Sequence, residues 1–156
     1  MPDVFTKTKR SEVMSRIRGR GNKDTEQALA KLFRRHRITG WRRNQKLFGK
    51  PDFVFPKFNI AVFVDGCFWH GCPKHSNMPA NNREFWRRKL SANKTRDALV
   101  TRMLRRAGWR VLRVWEHELA KIKTISTPHP NPLPVRGGEG AEARLVRRIQ
   151  RVLNAK

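Results

Sequence analysis

The sequence predicts a single α/β domain in which short strands alternate with helices. Three observations carry that expectation. The runs "PDFVF", "NIAVFV" and "WRVLRVW" are short and rich in aromatic and β-branched residues, as buried strands are. A long helical pattern over residues 82–107 separates the second run from the third. With 156 residues and only 2 cysteines, the chain is large enough to bury a core without disulfides.

Taken in order, residues 9–23, "KRSEVMSRIRGRGNK", read as a short basic helix ending in a glycine-rich loop. "DTEQALAKLFRRHR" follows, with Asp24 and Thr25 as N-cap candidates and Leu29, Leu32 and Phe33 as its apolar stripe. Glu26 lies three and seven residues before Leu29 and Phe33, which turns this acid toward the buried face. "WRRNQKLFGK" reads as a strand with a turn at Gly49. "PDFVF" and "NIAVFV" then form a hairpin through Pro56 to Asn59, and a centre near residue 58 sets Asp52 opposite Val64. In the 82–107 helix, Asn82 is a cap and Gly108 a stop. Leu90, Asp97 and Leu104 are seven apart, so Asp97 shares a face with core leucines. "WRVLRVW" is a further strand, with "EHELAKI" after it.

Residues 124–140, "TISTPHPNPLPVRGGEG", change character and read as a Pro/Gly linker. A helical pattern returns over 141–156, with Leu145, Ile149 and Val152 on one face. The domain is therefore expected over 1–123, with the linker uncoupling a basic last helix from it.

Lys and Arg number 36 against 12 Asp and Glu, a formal charge of +24 spread along the chain. Such a surface suits a polyanion, and nucleic acid leads because phosphate binding releases counterions. No apolar run approaches membrane-spanning length and "MPDVFTKTKRSEVM" has no apolar signal region. A cytoplasmic location follows, where cysteines are reduced thiols or metal ligands.

A strand headed by Pro51-Asp52, paired with one ending in Asp65, is how many nucleases build a divalent metal site from hard oxygen ligands. Asp52 by itself reads as a turn residue, but Glu26 and Asp97 also face inward and tip the balance toward a site. His70 leaves the same strand and is a proton acceptor, a zinc ligand or a surface histidine; its spacing does not choose. Cys67, Cys72, His75 and His117 make a C-x4-C-x2-H…H set suited to tetrahedral zinc, or else two buried thiols. Phe68, Trp69, Phe85 and Trp86 are core aromatics or a wedge that unstacks a duplex.

With "GKPDFVF", "FVDGCFWHGCPKH", "NREFWRRKLSANKTRD" and "GWRVLRVWEHEL" in that order, the chain resembles the very short patch repair (Vsr) endonucleases over residues 3–122. The resemblance implies a restriction-endonuclease-like α/β fold of the PD-(D/E)xK type, a mixed sheet flanked by helices with a structural zinc site. It implies Mg²⁺-dependent nicking of double-stranded DNA 5′ of the thymine in a T:G mismatch left by deaminated methylcytosine. Asp52 then matches the metal-binding aspartate, Val64 the residue giving the metal a carbonyl, and His70 the catalytic histidine. Glu26 and Asp97 match supporting acids. Cys67, Cys72, His75 and His117 fall on the Zn²⁺ ligands, and Phe68, Trp69 and Trp86 on the wedge. Met14, Arg16 and Arg18 are further DNA contacts. Asp65 stands where a known member carries histidine, and His117 where it carries cysteine. A DNA cytosine methyltransferase system and the mismatch-repair protein MutL are the implied partners. A same-fold restriction-type nuclease without mismatch preference and a non-catalytic basic DNA-binding module are the alternatives.

Overall fold

The computed structural model of this chain describes residues 23–75, 77–125 and 140–155. The basic segment read as a helix over 9–23 lies almost wholly outside them. Helix α1 spans Lys23–Arg35, so Asp24 and Thr25 lie in its first turn rather than ahead of it. Strand β1 is only Arg42–Arg43, β2 is Phe53–Phe55 and β3 is Ile60–Asp65. The segment read as one strand over 41–50 pairs at just two residues, because Asn44 and Lys50 adopt positive φ and bend it away. Helix α2 spans Arg83–Arg106 and strand β4 Arg110–Trp115. Helices α3, Glu116–Ile125, and α4, Ala141–Asn154, complete the chain.

The four strands form one sheet in the order β1-β2-β3-β4. The first two pairings are antiparallel, whereas β3 and β4 run parallel, joined by the α2 crossover. Phe53 faces Val62 and Phe55 faces Ile60, one residue short of the expected register. The connection is a 3-10 turn over Pro56–Phe58 closed by left-handed Asn59, which shifts the hairpin centre toward β2.

Alternation along β3 builds a core on each face of the sheet. Ile60 and Val62 join Phe53, Phe55, Leu112 and Val114 beneath α1, α3 and α4. Ala61 and Phe63 face Val100 and Leu104 of α2. The last helix is not uncoupled from this body. Leu145, Val146 and Ile149 are buried in the larger core, and the Arg148 guanidinium donates to the Arg113 carbonyl and pairs with Glu118. An apolar stripe left by α1 and α3 needs a cover, and α4 supplies it whatever the character of the preceding segment. None of the described helices is long and apolar enough to cross a membrane.

Candidate active site and metal centre

Three groups of side chains gather at the end of the sheet where β3 runs out. The first is a carboxylate pair. Asp52 stands at the head of β2, and its Oδ2 accepts the Val64 backbone N–H at 2.7 Å. Glu26 of α1 reaches the same place, buried at 8 % exposure, and accepts from the Arg43 guanidinium, with its charge bearing on Asp52. Burial first, then the neighbouring Glu26 and Asp65 charges, raise the Asp52 pKa from 3.8 to about 6, against the lowering effect of the Val64 N–H. The expected proximity of Asp52 to Val64 is thus realised through the Val64 amide.

The second group surrounds His70. Its Nδ1 lies 2.6 Å from Asp97 Oδ2 and 3.8 Å from Asp65 Oδ1. Burial alone would lower the His70 pKa, but the hydrogen bond to Asp97 and the charges of Asp65 and Asp97 outweigh it and raise it above 6.5. Asp97 is lowered by the same bond in spite of its partial burial. The heptad of Leu90, Asp97 and Leu104 therefore does bring the acid to the sheet, with both leucines buried. Asp65 faces Arg113 rather than Asp52; burial raises its pKa and Arg113 opposes the rise. His70, Asp65, Asp97 and Arg113 line an open cleft of about 810 Å³ whose far wall is basic, with Lys94, Arg102, Arg105 and Arg106. Gly71 has a φ of +62°, a left-handed backbone that favours glycine, whereas a Cβ there would meet only the movable end of the Lys94 side chain.

The third group is soft. One ligand atom from each of Cys67, Cys72, His75 and His117 lies within 4.8 Å of the others. Cys67 Sγ is 3.3 Å and Cys72 Sγ 3.6 Å from His117 Nδ1, and Cys72 Sγ is 3.7 Å from His75 Nδ1. Burial, with Cys72 alongside, raises the Cys67 thiol pKa, so a thiolate there calls for a cation. The cluster joins the loop after β3 to the first turn of α3.

Phe68, Trp69, Trp86 and Phe85 pack edge-to-face or tilted in a chain, with successive ring centroids 5.2 to 6.0 Å apart. They belong to neither core, and Phe85 is 57 % exposed. Met14, Arg16 and Arg18 lie outside the described residues. Sequence reading missed Arg113; its one signal was an arginine at the apolar parity of Val111 and Trp115 in "RVLRVW".

An acidic pair at a hairpin end, an imidazole–carboxylate pair and a Cys/His cluster thus gather at one end of a mixed α/β sheet. Comparison with known proteins gives the class to which such a chain belongs. The family model described as DNA mismatch endonuclease Vsr matches residues 2–76. The type II nicking enzyme V.NaeI of Lentzea aerocolonigenes is 56% identical over 69 residues, 44% of this chain and 42% of that protein. The type II nicking enzyme V.NmeDIP of Neisseria meningitidis serogroup C is 40% identical over 124 residues, 78% of this chain and 83% of that protein. The DNA mismatch endonuclease Vsr of Escherichia coli strain K12 is 37% identical over 119 residues, 74% of each chain. The chain belongs to the Vsr family of DNA endonucleases. Membership implies a restriction-endonuclease-like fold, with which the mixed four-stranded sheet agrees.

Proposed function

We propose that this protein nicks double-stranded DNA on the 5′ side of the thymine in a T:G mismatch, the lesion left by a deaminated methylcytosine. The observation that carries the reading is the pairing of His70, on the loop that also bears Phe68 and Trp69, with Asp97 of α2 at 2.6 Å, in a chain of this family.

Asp52, with the carbonyl of Val64, would hold Mg²⁺. The donor chemistry fits: hard oxygens, and an Asp52 carboxylate, buried and crowded by Glu26, whose raised proton affinity a divalent cation relieves. When bound, Mg²⁺ supplies positive charge to the scissile phosphate. The remaining work falls to the chain's own side chains. Asp97 fixes His70 through Nδ1, which leaves Nε2 to take the proton of the attacking water. Glu26, held by Arg43, adds a second negative charge beside Asp52 for the cation. Phe68, Trp69 and Trp86 enter the duplex beside the mismatch, where a weakened base pair lowers the cost of unstacking. Arg16, Arg18 and the cleft cations meet phosphates, and Met14 is a further DNA contact.

Cys67, Cys72, His75 and His117 would hold Zn²⁺. A tetrahedron with Zn–S of about 2.3 Å and Zn–N of about 2.05 Å has S···N edges of about 3.6 Å. The three contacts of 3.3, 3.6 and 3.7 Å bracket that edge. Holding zinc, these four residues would staple the loop carrying His70 and the wedge to α3. The biological setting is cytoplasmic DNA modified by a cytosine methyltransferase, with MutL as a repair partner.

The names of several relatives favour a second reading, nicking tied to a restriction-type system. The test of the catalytic assignment is Mg²⁺-dependent nicking of a T:G duplex by the wild type and by Asp52→Ala. The variant is expected to bind DNA and not cut it. Parallel loss of binding and cutting would overturn the metal role of Asp52.

A further inference from the structure

Asp65 has no part in the steps above, although it is buried and ends the strand that leads into the catalytic loop. Its partner is Arg113. The parallel register of β3 and β4 sets Arg113 beside Phe63, one pleat before Asp65 and on the same face of the sheet. The guanidinium lies over the Phe63 ring, 4.8 Å from its centroid, and so is steered along β3. Nη1 donates to both Asp65 oxygens at 2.9 and 2.7 Å. Nη2 donates to the Asp97 backbone carbonyl at 3.3 Å and lies 3.6 Å from Asp97 Oδ1. One planar cation thus spans the two carboxylates that flank His70 Nδ1.

We infer that Arg113 is a positioning residue for His70, a clamp that holds Asp65 away from the imidazole and Asp97 against it. The inference rests on the reading of His70 as the proton acceptor. Two carboxylates near one Nδ1–H compete for it, and the ring can turn toward either. A guanidinium with its nitrogens fixed on both acids removes the choice: Asp65 is consumed by Nη1, and the helix turn carrying Asp97 is pinned by Nη2. Only Asp97 then hydrogen-bonds Nδ1, and Nε2 keeps a single direction into the cleft. Lysine offers one point of charge and no planar fork, so it reaches one acid and leaves the other unheld. An aspartate at position 65 and an arginine at 113 are therefore one device, since a buried acid at 65 without its cation would draw the imidazole to itself.

The test measures single-turnover nicking of a T:G duplex by Arg113→Gln, Arg113→Lys and Asp65→Asn, each also in a His70→Ala background. Duplex affinity is measured alongside. Arg113→Gln is expected to slow nicking roughly 10- to 100-fold, the scale of small misplacements in a catalytic group, with affinity changed less than about threefold. Arg113→Lys should recover part of the rate. In the His70→Ala background the same changes should cost nothing further, because there is no imidazole left to aim. An equal loss in both backgrounds, or a loss carried by affinity, would overturn the inference. If His70→Ala nicks at the wild-type rate, the reading of His70 fails instead, a result distinct from any failure of Arg113. Should Arg113→Gln fold poorly, ¹⁵N chemical shifts of the His70 ring in Arg113→Lys and Asp65→Asn decide the matter. The Nδ1 resonance set by the single hydrogen bond to Asp97 must shift in Arg113→Lys, where the ring turns between two acids, and hold in Asp65→Asn, which removes the competitor; an unshifted Nδ1 in Arg113→Lys refutes the clamp.

Discussion

Replacing Asp52 by asparagine should make the protein more stable and inactive at once. Asp52 sits against Glu26 with its Oδ2 on the Val64 amide, and its pKa is raised from 3.8 to about 6. An acid with a raised folded pKa binds its proton more tightly folded than unfolded. Its cost is absent below about pH 4, grows as pH rises through 6, and is constant above. At about 1.4 kcal/mol per tenfold in proton affinity, the interval from 3.8 to about 6 corresponds to about 3 kcal/mol, reduced to about 2–3 by the water that reaches the carboxylate. Asparagine keeps the Val64 bond through its carbonyl oxygen and offers its amide to Glu26, with no charge to hold. Thermal melts at pH 8 without added Mg²⁺ should show the variant higher by roughly 4–12 °C, and melts at pH 4 should nearly coincide. Added Mg²⁺ should raise the wild-type midpoint and leave the variant's unmoved. A variant that melts at or below the wild type at pH 8 refutes the account of a crowded carboxylate waiting for a cation.

Nicking should fall on acidification with a midpoint above the ordinary imidazole value of 6.5, since the base works neutral and Asp97 and Asp65 raise its pKa. Asp97→Asn should move that limb to lower pH and lower the plateau; an unmoved limb counts against the pair. Stripping metal from the Cys/His cluster, or Cys72→Ser, should lower the melting midpoint and expose both thiols to a thiol reagent. An unchanged midpoint in protein shown metal-free would dispose of the staple. Ile149→Ala, at 1 % exposure in α4, should cost about 2–5 kcal/mol in denaturant unfolding. A cost below about 0.5 kcal/mol would mean that the last helix is not part of the core.

Much of the frame was legible because it is local. The runs of β-branched and aromatic residues gave β2, β3 and β4, and the Leu90, Asp97 and Leu104 spacing put an acid on the buried side of α2. The Cys/His spacing foresaw a cluster whose last member comes from a different element, and the structure brings all four donors together. What escaped was set by distance in the chain. The hairpin register slipped by one residue because a left-handed Asn59 closes a 3-10 turn there, a choice of turn type that composition does not dictate. The stripe of Leu145, Ile149 and Val152 announced an apolar face on α4 without saying what it meets, and the intervening Pro/Gly segment suggested nothing. Arg113 looked like one more surface cation among 36 lysines and arginines. Only the parallel pairing of β3 with β4 reveals that it points at buried Asp65 and part-buried Asp97.

The central claim is tested most directly by duplexes identical except at one position, T:G against C:G, incubated with Mg²⁺ and resolved strand by strand. The account predicts a nick in the thymine strand alone, 5′ of the thymine, only in the mismatched duplex. Equal cutting of both duplexes would contradict it.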